Sequence, residues 1–81
     1  MILDTKIKNL SDLKNIVGVL DTNLKVIETL YSTDISIKDD SVYTSLEPGI
    51  YADMLDKLFR YLQNFSLSGI RITNRDVIYI N

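Results

Sequence analysis

The sequence predicts an α+β fold: a three-stranded antiparallel sheet backed by three helices, with a short helical or extended segment at the end. Three observations predict it. Residues 34–45 hold two alternating runs separated by a two-residue turn, which forces antiparallel pairing between them. Residues 48–66 hold apolar side chains at separations of four, three, four and three, as a helix with one covered face requires. A third alternating run lies near the start, and three strands sharing one apolar face need a helical layer over that face. The order is strand, helix, helix, strand, strand, long helix, then the terminal segment.

Taken in order, residues 2–8 form the first strand, with Leu3, Thr5 and Ile7 on the inner face and Ile2, Asp4, Lys6 and Lys8 outside. Ser11 is positioned to cap a helix over 11–17, with Asp12 in its first turn, where the helix dipole favours a negative charge. Leu10, Leu13, Ile16 and Val17 have helical spacing, and Gly18 ends the helix. A second helix over 22–32 starts from a cap at Asp21 or Thr22 and carries Leu20, Leu24, Ile27 and Leu30 or Tyr31. Strands over 34–38 and 41–45 flank the turn Asp39-Asp40. Val42 and Thr44 lie on one face and Tyr43 on the other.

Pro48 suits the first turn of the long helix over 48–66. The apolar stripe there is Tyr51, Leu55, Leu58, Leu62 and Phe65, widened by Ile50, Met54 and Tyr61. Asp53 with Lys57, and Asp56 with Arg60, are acid-first pairs on the polar side. In residues 73–80, Thr73-Asn74-Arg75-Asp76 has the form of a capping box with Asp in place of Glu. Val77 to Ile80 has strand composition instead, so the segment is expected to be either helical or extended.

Composition limits the chemistry. The chain has 81 residues, one small domain's worth, 46% apolar and 25% charged. It has no cysteine and no histidine, which removes thiol chemistry and the usual proton shuttle near neutral pH. Asp34, Asp39 and Asp40 lack the spacing and glycine of a calcium loop and read as a solvated hairpin. No nucleophile–base pair can be assembled, so no enzymatic role and no metal or cofactor site are expected. The first ten residues lack the continuous apolar core of a signal peptide, and no run is long enough to span a bilayer. The expectation is a cytoplasmic chain with no membrane partner. The net charge of −2 runs against the basic excess usual in nucleic-acid binders.

One stretch carries a resemblance. Val17 is followed by Gly18-Val19-Leu20-Asp21, then Thr22-Asn23, Leu24, Lys25, Val26, Ile27 and Glu28. This is similar to the signature of K-homology (KH) domains of type I, ordered β-α-α-β-β-α, in which a Gly-x-x-Gly turn grips a nucleic-acid backbone. Asp21 stands where the second glycine would be. Near the end, Gly69-Ile70-Arg71-Ile72-Thr73-Asn74-Arg75-Asp76-Val77 adds a second match. Together the two segments resemble the N-terminal KH-like domain of PhoH-like (phosphate-starvation-inducible) P-loop ATPases, over about residues 10 to 80.

The resemblance implies a non-catalytic accessory domain, with ATP and magnesium held by a downstream P-loop ATPase domain. No Gly-x-x-x-x-Gly-Lys-Ser/Thr occurs in this chain. The expected partners are that downstream domain and weakly held RNA or ribonucleoprotein. A protein-docking or assembly role, including homo-oligomerisation, is the alternative. The implied contacts are Gly18, Val19, Leu20 and Asp21, whose turn would offer backbone N–H groups to phosphate, flanked by Lys14 and Lys25. Lys38 lies near the hairpin. A carboxylate at Asp21 that capped the second helix would occupy the N–H groups a phosphate needs. Among the tyrosines, Tyr31, Tyr51 and Tyr61 are expected to pack in the core, leaving Tyr43 for base stacking.

Overall fold

A computed structural model of the chain describes residues 1–80. The elements are β1 (Ile2–Lys6), α1 (Leu10–Val17), a single 3-10 turn (Val19–Asp21), α2 (Thr22–Tyr31), β2 (Ile35–Lys38), β3 (Ser41–Thr44), α3 (Ile50–Leu67) and α4 (Asn74–Ile80). The sheet order is β1-β3-β2 and both pairings are antiparallel, so the last strand in sequence is central. This is the α+β, three-stranded antiparallel architecture that the alternation predicts. Leu3, Thr5 and Ile7 are buried, as are Val42 and Thr44. The inner face of the sheet meets Ile16, Ile27 and α3 in one core.

β1 ends at Lys6, two residues short of the 2–8 run, and its register slips within the strand. Ile2 lies opposite Tyr43, but Lys6 lies opposite Ser41, so β1 spends extra residues between them. The Thr5 N–H, freed from the ladder, donates to Asp56 Oδ1 of α3 at 2.8 Å, and the Thr5 hydroxyl donates to the Asp56 carbonyl at 3.2 Å. Asp56 is therefore buried, and Arg60 closes its other oxygen at 2.9 Å. Breaking such a group's partners costs more than an exposed pair contributes, because a buried carboxylate is left short of hydrogen bonds.

That contact corrects the orientation of α3. The inner face is Ala52, Leu55, Asp56, Leu58, Phe59 and Leu62, a stripe turned from the one expected. Phe59, absent from the expected stripe, is fully buried, whereas Tyr51 is 66% exposed and Tyr61 46% exposed. Ile50 and Met54 are exposed with them. Asp56–Arg60 forms; Asp53 and Lys57 make no ion pair among the described residues. Pro48 precedes the helix, whose N-cap position is Gly49.

α1 likewise starts a residue earlier than expected, with Asn9 at the N-cap position in place of Ser11. The Asn9 amide bonds Asp12 at 3.0 Å instead of a backbone N–H. At the C-terminus the capping box wins over strand composition. Thr73 N–H donates to Asp76 Oδ2 at 2.9 Å, and Asp76 N–H donates to the Thr73 hydroxyl at 3.3 Å. The helix that follows puts Val77 into the core.

Candidate nucleic-acid interface

α1 stops at Gly18, whose N–H bonds the Lys14 carbonyl at 3.0 Å. Gly18 has φ 78° and ψ 174°, a region that side chains strongly disfavour. A Cβ at this position would lie 2.9 Å from both Cγ and Nδ2 of Asn23. The glycine is therefore required twice, by its backbone and by its neighbour. Asn23 is only 2% exposed, and its amide donates to the Asn15 carbonyl at 3.4 Å and the Ile72 carbonyl at 3.2 Å.

Asn15 completes the clamp. Its side chain accepts from Ile72 N–H at 2.9 Å and donates to the Ile70 carbonyl at 2.8 Å. The same amide donates to Ser66 Oγ at 3.0 Å, and Ser66 donates to Asp12. Those bonds from Ser66 and Asn9 hold the Asp12 carboxyl below its ordinary value. Two asparagines thus fasten the segment before α4 alongside the α1–α2 turn, and Arg71 is carried with it.

The turn itself projects. Val19 and Leu20 are exposed, Leu20 to 83%. Leu20 (φ 53°, ψ 32°) and Asp21 (φ 59°, ψ 26°) are both left-handed. Aspartate tolerates that conformation better than most residues, so Asp21 takes the backbone state a glycine would supply. Asp21 does not cap α2, and the expectation that it does is corrected: no side-chain cap bond forms. Capping needs an extended backbone at the N-cap, which swings the carboxylate back over the helix end; a left-handed residue does not do this.

Beside the turn lies a cleft of about 380 Å³ lined by Lys14, Asn15, Gly18, Val19, Thr22, Asn23, Arg71, Ile72, Thr73 and Asn74. The structure therefore brings Lys14, Gly18 and Val19 together, and leaves Leu20 and Asp21 at the exposed tip. Lys25 is not part of this cleft. It lines clefts on other sides of α2, one with Glu28, Thr29 and Asp34, another with Val26, Leu30 and Ile78. Glu28, matched in the signature, accepts from Ile35 N–H at 2.8 Å and so fixes the start of β2. Tyr43 is half-buried on the outer face of the sheet, and Lys38 stands exposed at the hairpin.

Arg71, Thr22 and Asn74 were not among the expected contacts. Arg71 and Asn74 stood in the second matched segment, but nothing local in the sequence places them beside Gly18. The cleft pairs two cations with amides and hydroxyls, which suits a phosphate or a polar base edge. Among the described residues no group of three or more His, Cys, Asp or Glu is arranged to hold a metal ion. Nor is any described helix long and apolar enough to cross a membrane.

Compared with known proteins, the chain matches no family model, no curated protein and no solved structure.

Proposed function

We propose that this chain is a non-catalytic, KH-like module that holds the backbone of a short single-stranded RNA at the Gly18 cleft. The observation that carries the reading is the meeting of Lys14 and Arg71 beside a strained, projecting turn, at a helix end no side chain caps. The Asp21 and Thr22 N–H groups are taken by the Gly18 and Val19 carbonyls, so a phosphate there is held by the two cations and the positive end of the α2 dipole. Strained residues at an exposed tip are also where function tends to be stored. The module acts within a cytoplasmic PhoH-type ATPase, whose separate P-loop domain supplies ATP and magnesium binding. That part of the reading is tested by the reading frame after Asn81, which should encode a glycine-rich P-loop.

Two cations give weak and salt-sensitive binding. Two phosphate contacts on a single strand give a slope of about −1.4 in log affinity against log salt, or about sevenfold lost between 50 and 200 mM. Fluorescence anisotropy with a labelled oligoribonucleotide measures this. Lys14→Ala and Arg71→Ala should each lower the slope by about 0.7, while Lys25→Ala leaves it unchanged. Equal binding by all three variants overturns the reading.

A docking role is favoured by a different observation, the apolar side chains left uncovered on α3 and its neighbours.

A further inference from the structure

The rotation of α3 leaves a continuous apolar face. Tyr51, Met54 and Tyr61 line its exposed side, with Ile50 beside them. Met54 and Tyr31 are shared by two adjoining grooves. One, of about 310 Å³, runs past Leu30, Leu46 and Tyr51. The other, of about 240 Å³, runs past Lys57, Tyr61 and Ile80. Leu30 continues the face to Val26 and Ile78, the latter 56% exposed.

Its size is informative. With a tyrosine covering about 150–250 Å² in full, the uncovered parts of these side chains amount to roughly 500–700 Å². That lies at the upper end of the roughly 300–600 Å² of the largest apolar patch on a typical monomer, patches that are often functional, and approaches the roughly 800 Å² per partner of a stable interface. It is also roughly a tenth of the chain's 5235 Å² surface, the share a standard interface takes.

We infer that this face is the isologous interface of a homodimer, in which α3 packs antiparallel against α3 of a second copy. The spacing of α3 is self-complementary about a two-fold axis on its exposed side, at the level of residues 55 and 56 along the helix. Such an axis sets Tyr51 against Tyr61 of the other copy, with Met54 exposed between them on each helix, so the aromatic groups meet in both directions. It also sets Asp53 opposite Lys57 of the other copy, on one common rim. These are the two charges of α3 that the sequence pairs within the helix and the structure leaves without an ion pair. One surface thus supplies both the apolar centre and matched charges at its edge, in the arrangement stable interfaces use. A partner of unrelated sequence would need neither the symmetry nor the charge match. The face shares no lining residue with the Gly18 cleft, so dimerisation and RNA binding are separable.

Sedimentation velocity of the whole chain, from about 1 to about 300 μM, brackets the affinities expected of an interface this size. The expected result is a concentration-dependent rise from 9.3 kDa to twice that mass. Met54→Asp and Tyr61→Asp, both at exposed positions, should weaken the dimer at least tenfold while circular dichroism stays unchanged. Asp53→Lys and Lys57→Asp should each weaken it, and the double reversal should restore it. RNA binding by Met54→Asp should match wild type, which keeps a failure here distinct from a failure of the RNA reading. A 9.3 kDa species at every concentration overturns the inference, as does a dimer indifferent to Met54→Asp. Capture of a separate downstream domain by a chain that stays monomeric overturns it too.

Discussion

Replacing Gly18 by alanine tests the joint between α1 and α2 most severely. The new Cβ would stand 2.9 Å from Asn23 Cγ and Nδ2 and 3.1 Å from Thr22 Oγ1, on a backbone with φ 78°. The backbone term is about 1–3 kcal/mol for a side chain in this region. Overpacking adds about 1–3 kcal/mol, since Asn23 is held from the other side by its bonds to Asn15 and Ile72 and has nowhere to retreat. The two overlap, because relaxing either relieves the other, so the expected loss is about 2–4 kcal/mol. In a domain of this length that lowers the melting temperature by about 10–25 °C.

Urea unfolding followed by circular dichroism measures this, with Gly69→Ala as the control. Gly69 shares a positive φ of 82° but has nothing within 4 Å of its Cβ position. It should lose only about 1 kcal/mol, the left-handed penalty alone. Combining Gly18→Ala with Asn23→Ala should then destabilise less than the sum of the two, by about 0.5–3 kcal/mol. Equal losses at Gly18 and Gly69, or strict additivity with Asn23→Ala, would refute the close-contact argument.

Three further outcomes are expected. Leu20→Gly removes a left-handed leucine whose side chain is in water, and should stabilise the fold by about 0.5–1 kcal/mol, the left-handed strain minus glycine's added chain entropy; a destabilised variant in the same urea assay counts against the strain. Thr73→Ala removes the hydroxyl half of the capping box, leaving the Thr73 N–H to Asp76, and should cost about 1 kcal/mol, with earlier amide exchange in α4 than elsewhere. The Asp12 carboxyl titrates below its ordinary 3.8 in the folded state, so its stabilisation is present above about pH 4 and is lost as pH falls through the lowered value. Asp12→Asn should flatten stability against pH in that acid range, and an unchanged acid profile contradicts the Ser66 and Asn9 bonds as its cause.

The strands were legible because a period of two leaves little freedom. Once Ile35, Ile37, Val42 and Thr44 are set around a two-residue turn, the pairing follows. The capping box at Thr73 and Asp76 was legible for a similar reason, being complete within four residues. The face of α3 was not. Leu55 and Leu62 belong equally to a stripe through Tyr51 and Leu58 and to one through Ala52 and Phe59, so periodicity alone allows both. The deciding contact, Asp56 to the freed Thr5 N–H, arises from the slip in β1, which leaves no local mark in the sequence.

The candidate site divides in the same way. Gly18 and Lys14 are near each other in sequence, and helix spacing keeps them together. Lys25 sits equally near the turn in sequence, but the second turn of α2 carries it round to another side. Arg71 arrives only because Asn15 and Asn23 bind the backbone on either side of it, a tertiary bond set that composition does not report. Asp21 was misread because aspartate serves as a helix cap and as a left-handed residue alike. Only the backbone angles decide between the two.

The most direct test of the RNA reading is the salt dependence of single-stranded RNA binding by wild type, Lys14→Ala and Arg71→Ala, with Asp21→Gly alongside. Asp21→Gly keeps the left-handed turn and removes a negative charge beside the cleft, so tighter binding is expected from it. The account predicts a wild-type slope of about −1.4, halved by either cation's loss. Absence of binding by both wild type and Asp21→Gly at low salt would contradict it.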